Sequence, residues 1–374
     1  MVQDKPLIQM LGITKSFPGV LANDGVDLDL HAGEIHSVVG ENGAGKTTLM
    51  NILAGMYQSD QGSIRVRGQT VQIRSPQDSL KLGIGMVYQH FTLIPNLTVL
   101  ENLMIGFEGG LLLDLKKAER KLQNISDAYG LSIGPRRMTQ DLSVAERQRT
   151  EILKILYHGS EVLILDEPAS VLSPAETENL YHTLKSLRRA GKAVILITHN
   201  LNEARTVSDR MTIMRSGKNV AELSGEALKA ADSQTISDKI LALMFGELPP
   251  PASSAAARVW ADDPLLELKN VEALNSQGEI GLKGISLSIR KGEMIGITGI
   301  AGEDQRLLAE VIGGQKRASS GRLLFCGRDI TRMGVTRRFE LGISYITADR
   351  INEGCVPDMT LSENSILQSY HRPP

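Results

Sequence analysis

One run of glycines occurs twice in this sequence in the same register, and it limits the chain to folds built from two like units. Gly33-Glu34-Ile35 through Gly40 returns as Gly292-Glu293-Met294 through Gly299. At the same offset Gly43 meets Gly302, Gly62 meets Gly321, Gly68 meets Gly327, and Leu82-Gly83-Ile84 meets Leu341-Gly342-Ile343. After a three-residue slip, Thr98-Val99-Leu100-Glu101-Asn102 meets Thr360-Leu361-Ser362-Glu363-Asn364. Self-similarity of this reach marks a duplicated architecture. The 374 residues suit about two domains of roughly 100–200 residues each. Between the copies lies Pro249-Pro250-Pro251-Ala252-Ser253-Ser254-Ala255-Ala256-Ala257, which has no apolar periodicity and suits an inter-domain linker. The expected division is therefore 1–246, a linker 247–264, and a partial second unit 265–374.

Within the first unit, short apolar runs alternate with helical patterns. Val162-Leu163-Ile164-Leu165 and Ala193-Val194-Ile195-Leu196-Ile197 are near-continuous apolar strands, as expected when both faces of a sheet are covered. Glu176 to Ala190 has Leu180, Leu184 and Leu187 on one helical face. Such alternation implies an α/β fold with a parallel core, and a ligand site at the carboxyl ends of the strands.

Gly40-Glu41-Asn42-Gly43-Ala44-Gly45-Lys46-Thr47 fits G-x-x-x-x-G-K-[ST] in full, following the strand Ile35–Val39 and opening the helix Thr48–Leu53. Its glycines let backbone N–H groups turn toward phosphate oxygens at a helix N-terminus. Lys46 is expected to reach the β/γ-phosphates of ATP and Thr47 to ligate Mg²⁺, with Gly40, Glu41, Asn42, Gly43, Ala44, Gly45 and Thr48 completing the nucleotide cradle. Val162-Leu163-Ile164-Leu165-Asp166-Glu167-Pro168 is an apolar strand ending in two acids. Asp166 is placed to hold Mg²⁺ through water, and Glu167 to polarise the attacking water as general base. Ser143 and Glu146 form an S-x-x-E capping box before a helix.

Taken with Tyr88-Gln89, Leu142-Ser143-Val144-Ala145-Glu146 and Thr198-His199, these motifs resemble the ABC ATPases. The resemblance covers nearly the whole chain. It implies a P-loop ABC-type domain, with a parallel-core sheet, antiparallel strands and a helical subdomain, in tandem with a partial second copy. More narrowly, Gln89-His90-Phe91-Thr92-Leu93-Ile94-Pro95-Asn96-Leu97-Thr98-Val99 and Gly299-Ile300-Ala301-Gly302 resemble the bacterial importers of simple sugars and nucleosides, which carry two nucleotide-binding domains in one chain.

That resemblance implies further roles. Gln89 would touch Mg²⁺ and water and sense the membrane partner, and His199 would contact the γ-phosphate. Phe17 would stack on adenine, although a lone Phe serves equally as core. Ser143 would face a phosphate across a dimer interface. The segment Phe91 to Leu113 would receive a cytoplasmic helix of a permease, or be ordinary helical packing. The implied partners are two transmembrane permease subunits and a substrate-binding lipoprotein, with the chain on the cytoplasmic face of the membrane. The implied function is ATP-driven uptake of a small hydrophilic solute, a nucleoside ahead of a simple sugar. A soluble ABC ATPase of translation or repair, or a nucleotide-binding regulator without efficient hydrolysis, are the other classes.

The second copy departs from the pattern. Lys46 corresponds to Gln305, Thr47 to Arg306, Gln89 to Ala348 and Phe17 to Ser276. Without a lysine ammonium and a magnesium-binding hydroxyl, hydrolysis is not expected there. The first signature carries Ala145 where the family usually has glycine, and Ser173 stands where many members have an aspartate. The sequence stops at Pro374, before a second signature. On this reading the chain alone is expected to bind Mg-ATP and turn it over slowly.

Composition narrows the partners. The 41 basic and 43 acidic side chains give a net charge of −2, so no global basic field recruits nucleic acid. Cys326 and Cys355, the two cysteines, form no disulfide framework and fit a reducing cytosol. Met1-Val2-Gln3-Asp4-Lys5-Pro6 lacks the apolar run of a signal peptide, and no stretch of about 18 apolar residues occurs.

Overall fold

The computed structural model describes residues 5–106, 114–230, 233–246, 263–275, 278–299, 302–347, 349, 353–367 and 369. The linker prolines, Ser276, Ala348 and residues 107–113 of the expected permease-contact segment lie outside them. The chain divides into two compact units, Met1–Pro251 and Ala252–Pro374.

The first unit contains two sheets. β1 (Ile8–Phe17), β2 (Val20–Leu30), β4 (Gln61–Val66) and β5 (Gln69–Val71) form an antiparallel sheet in the order β2-β1-β4-β5. The other has six strands in the order β10-β9-β3-β8-β7-β6: β3 (Ile35–Gly40), β6 (Ile84–Val87), β7 (Val162–Asp166), β8 (Ala193–Thr198), β9 (Arg210–Arg215) and β10 (Lys218–Ser224). All neighbours in it run parallel except the edge pair β9/β10.

Every residue of β3, β6, β7 and β8 is buried. Successive side chains along a strand point to opposite faces, so the two layers divide the residues between them. Val162, Ile164, Ile195 and Ile197 join the antiparallel sheet and α1 (Lys46–Leu53) in one core. Leu163, Leu165, Val194 and Leu196 join a helical layer in another. That layer contains α3 (Val99–Met104), α4 (Leu115–Tyr129), α5 (Val144–Tyr157) and α6 (Pro174–Arg189). The short α2 (Pro76–Lys81) precedes β6, and α7 (Leu201–Val207), α8 (Gly225–Ala230) and α9 (Ser233–Phe245) complete the unit.

Capping chemistry sets the helix starts. Thr98 with Glu101, Ser143 with Glu146, and Ser173 with Glu176 each form a full capping box. The last of these starts α6 at Pro174, ahead of the expected Glu176, because Pro174 presets φ for the first helical position.

The second unit repeats the antiparallel sheet. β11 (Pro264–Leu274), β12 (Ile280–Arg290), β13 (Ser320–Phe325) and β14 (Arg328–Asp329) lie in the order β12-β11-β13-β14, with α10 (Gly302–Gly313), α11 (Val335–Glu340) and α12 (Leu361–Ile366). The duplicated glycines have a conformational cause. Gly62 and Gly321 take φ of 97° and 84°, and a Cβ on either would lie within 2.6 Å of a backbone oxygen of the adjacent strand. The repeat extends to side chains. Asn102 accepts from the Ile94 amide and donates to the Ile94 and Thr98 carbonyls, and Asn364 makes the same bonds to Val356 and Thr360.

One equivalence fails. The segment 294–299, which matches β3, pairs into no sheet, and Met294 is 95% exposed. β3 is held between β8 and β9; the described residues of the second unit provide no counterpart of either strand. Among the described residues, no helix is long and apolar enough to cross a membrane.

Candidate active site

Four parallel strands deliver the sequence-predicted residues to one end of the sheet. β3 runs into Gly40 and the loop to Lys46; β6 is closely followed by Gln89, β7 ends on Asp166 with Glu167 next, and β8 is followed by His199. Strand order in this region is β3-β8-β7-β6, so these residues become neighbours although they are far apart in sequence.

At Gly40 and Gly45 the loop has no room for a side chain. A Cβ on Gly40 would lie 2.3 Å from the Met214 carbonyl oxygen, and one on Gly45 would lie 2.2 Å from that of Ala22. Gly43 and Gly45 take φ of 84° and 97°, a region that L-residues rarely enter. Such turns aim consecutive N–H groups into a concavity suited to anions. The side chain of Asn23 fastens the loop, its Nδ2 donating to the Gly45 carbonyl at 3.1 Å. Lys46 is 5% exposed, and its Nζ donates to the Gly40 and Glu41 carbonyls at 2.8 Å each. Burial lowers its pKa, while the carboxylates of Glu167, Asp166 and Glu41 oppose that shift.

The acid pair occupies two environments. Asp166 is buried at 4% exposure. Burial raises its pKa, a hydrogen bond with Thr47 lowers it, Glu167 raises it further, and Lys46 lowers it. Glu167 turns outward from the strand with φ of 48°, uncommon for a residue other than glycine. Its amide donates to the Ile197 carbonyl at 2.9 Å, and the Ser170 hydroxyl donates to the Glu167 carbonyl at 2.9 Å. Held in this way, its carboxylate accepts from Gln89 Nε2 at 3.2 Å on one oxygen and meets His199 Nδ1 at 2.8 Å with the other. The arrangement gathers one carboxylate, an amide and an imidazole beside a phosphate cradle.

The residues fit a magnesium nucleotide by their donor chemistry. The glycine loop is pressed against the Ala22 and Met214 carbonyls, where a Cβ on Gly45 or Gly40 would clash, and the Thr47 hydroxyl lies against the Asp166 carboxylate, two hard oxygen donors of the kind Mg²⁺ takes.

The remaining predicted residues lie around this centre. Phe17, at the end of β1, is 36% exposed, stands edge-on to Tyr57 with ring centroids 5.3 Å apart, and lies 5.6 Å from the Lys15 ammonium. Ser143 caps α5, and Arg137 pairs with the Glu146 carboxylate of the same box. Val144 is 40% exposed there. In the expected partner-contact segment, Thr92 donates through its amide and hydroxyl to the buried Glu151 of α5. Ser173 acts as the cap of α6.

Unit two differs at the matching positions. Gln305, matching Lys46, donates to the Ile297 carbonyl at 3.5 Å, its one side-chain hydrogen bond among the described residues. Arg306, matching Thr47, is paired with Glu310 at 2.7 Å and with Glu353.

Three supporting residues escaped the sequence reading. Asn23 and Glu151 act across 22 and 59 positions, and no local pattern reports them. Glu203 is 3% exposed; it accepts from Thr198 Oγ1 at 2.5 Å, and that oxygen accepts from the Asn200 amide at 2.9 Å, behind His199. A glutamate on the buried face of a short helix following Thr198-His199 was the available signal.

Comparison with known proteins places this geometry in a wider group. Residues 23–170 match the family model described as ABC transporter. The chain is 41% identical over 373 residues to the nucleoside import ATP-binding protein NupA of Lactococcus lactis subsp. cremoris, covering 99% of this chain and 72% of that protein. It is 41% identical over 371 residues to the guanosine import ATP-binding protein NupO of Bacillus subtilis, covering 98% and 71%. Against the glucose import ATP-binding protein TsgD13 of Haloferax volcanii, identity is 37%, over 98% of this chain and 70% of the other. Among solved structures, the ADP conformation of the ATP-binding cassette MJ1267 superposes with a TM-score of 0.57 at 24% identity, covering 65% of this chain and 99% of that one. The dimeric post-hydrolysis state of the cassette MJ0796 bound to ADP and Pi gives 0.51 at 26%, covering 58% and 98%.

Proposed function

This chain belongs to the ABC transporter family, and from that premise we propose that it is the ATP-hydrolysing subunit of an importer for a small hydrophilic solute, a nucleoside ahead of a simple sugar. The observation that carries the hydrolytic part is the Glu167 carboxylate, bonded at once to Gln89 and His199 beside the loop that presents Lys46. The nucleoside preference rests on the relatives named for nucleoside and guanosine import, which share 41% identity with the chain.

In the proposed mechanism, the backbone amides from Gly40 to Thr48 bind the phosphates, and the ring of Phe17 covers adenine. Lys46 leaves the Gly40 and Glu41 carbonyls for the β/γ-phosphate oxygens, where its charge offsets the charge that develops on the transferring phosphoryl group. Glu167 takes a proton from the attacking water, and Gln89 and His199 hold that carboxylate and the water in line. Thr47, Asp166 and Gln89 would hold Mg²⁺, which neutralises phosphate charge when bound.

The second unit plays a structural part in this reading, since Arg306 is committed to two glutamates where Thr47 offers a hydroxyl. Two permease subunits and a substrate-binding lipoprotein complete the transporter, with this chain on the cytoplasmic face of the membrane and the region beginning at Phe91 against a permease helix. Uptake of labelled guanosine and labelled ribose by vesicles holding the chain with its permeases tests the proposal. ATP-dependent guanosine uptake that disappears with Lys46→Ala supports it. Uptake of neither solute, or uptake indifferent to Lys46→Ala, overturns it.

A further inference from the structure

The two units carry an equivalent surface cavity beside the short outer strand of each antiparallel sheet, and the two cavities differ sharply in charge. In the first unit it has a volume of about 360 Å³ and is lined by Gly62, Ser63, Ile73 and Arg74 among others. In the second it is an open cavity of about 700 Å³, lined by Gly321, Arg322, Asp329, Arg332 and Arg337 among others. In the register of the repeat, Ser63 has become Arg322, Ile73 has become Arg332, and Asp78 has become Arg337. Arg74, the one basic residue of the first cavity's lining, has become Met333.

Among the described residues these guanidiniums form no close ion pair. Bonds with Thr331 hold the Asp329 carboxyl below the usual range, and Arg322 and Arg332 lie near enough to add to that effect. The described ion pairs of the second unit join Lys269 to Glu267, and Arg306 to Glu310 and Glu353. Arg322, Arg332 and Arg337 take part in none of them. Asp329 is the single carboxylate of the lining, and it already accepts the Thr331 amide at 2.9 Å.

A second observation concerns what lies beneath. Arg338 replaces Ser79 of the first unit and is 1% exposed. It donates to five carbonyls: Val311 and Ile312 at the end of α10, and Ile330, Thr331 and Met333 along the cavity wall. Carbonyl dipoles satisfy its N–H groups but carry no net charge. The wall is therefore braced from below by a buried positive charge that forms no ion pair among the described residues.

We propose that this cavity, bounded by Arg322, Arg332 and Arg337, is a binding site for a small phosphate monoester, separate from the P-loop. Charge matching selects that class. Three guanidiniums and one carboxylate leave two positive charges, and a monoester carries about −1.5 to −2 at pH 7, whereas a phosphodiester carries one negative charge per phosphate. The guanidinium fork suits bidentate contact with phosphate oxygens. A concave, local cluster on a chain of net charge −2 does not match the long basic stripe that nucleic acid selects.

The test is calorimetric titration of the full chain with ribose 5-phosphate, with ribose as the phosphate-free control, in wild-type and Lys46→Ala backgrounds. The expected result is one equivalent bound in both backgrounds, no binding of ribose, and affinity lowered at least about tenfold by Arg322→Ser or by Arg337→Asp. Both substitutions fall on exposed arginines and install the residue that the first unit carries at the matching position, and unchanged thermal melting confirms that each variant is folded. Absence of binding overturns the proposal, as does binding that survives both substitutions or vanishes with Lys46→Ala alone. Arginine-dependent binding of phosphatidylglycerol vesicles or of an oligonucleotide, without binding of ribose 5-phosphate, would assign the patch to a different partner and overturn it equally.

Discussion

Replacing Gly45 by alanine tests whether the loop from Gly40 to Lys46 binds phosphate by its backbone. The new Cβ would lie 2.2 Å from the Ala22 carbonyl oxygen and 2.7 Å from Asn23 Nδ2, distances that real Cβ atoms essentially never show below 3.0 Å. The loop must therefore move by about 0.8 Å, and the residue must also hold a φ of 97°. A shift of that size stretches an N–H to phosphate bond from roughly 2.9 Å to beyond the useful range. Losing two such bonds to a charged group, each about 1.5–3 kcal/mol, comes to roughly 3–6 kcal/mol. ATP affinity should therefore fall at least about 10²-fold.

Gly68→Ala supplies the control. That glycine also has positive φ, 80°, yet a Cβ there meets nothing within 4 Å. It should cost about 1 kcal/mol of stability and leave nucleotide affinity unchanged. Both variants are assayed by titration with a fluorescent ATP analogue alongside thermal melting. A folded Gly45→Ala chain that binds the analogue as the wild type does would refute the reasoning, because the crowded backbone would then play no part in the cradle.

Two further outcomes follow from the geometry. Asp60 is held at about 2, first by Lys15 and then by the Ser16 amide and hydroxyl, against an ordinary value of 3.8. Because the folded value is depressed, its stabilisation is present above pH 3.8 and disappears as pH falls through about 2; a carboxyl NMR titration should place the transition there, and Asp60→Asn should remove that part of the acid dependence of melting. Arg338→Ala strands five carbonyls and should destabilise the second unit by about 3 kcal/mol or more, seen as faster hydrogen exchange in α10 and α11; unchanged exchange would contradict the role given to that guanidinium.

Much of the architecture was legible because its signals are local. Strands buried on both faces read as unbroken apolar runs, and the glycines of the repeat mark positions of positive φ, as at Gly62 and Gly321 near the starts of β4 and β13. The motif residues were legible as candidates because each follows a strand, and adjacency of β6, β7 and β8 then joins Gln89, Glu167 and His199. What escaped depends on pairings distant in sequence. Asn23 reaches the P-loop from β2, and Glu151 reaches Thr92 from α5. The start of α6 escaped although Ser173-Pro174-Ala175-Glu176 is an S-x-x-E signal like the one before α5. The register of the repeat could not foretell that 294–299 lies outside a sheet, since a buried parallel strand needs two neighbours.

The central claim is that the first unit hydrolyses ATP through Glu167 and the second does not. Single-turnover conversion of bound ATP to ADP, with the chain in excess over nucleotide and Mg²⁺ present, tests it most directly. The account predicts that Glu167→Gln binds ATP and converts it at least about 10²-fold more slowly than the wild type, and that Gln305→Ala converts it at the wild-type rate. Conversion at the wild-type rate by Glu167→Gln, or a loss in Gln305→Ala as severe as in Lys46→Ala, would contradict it.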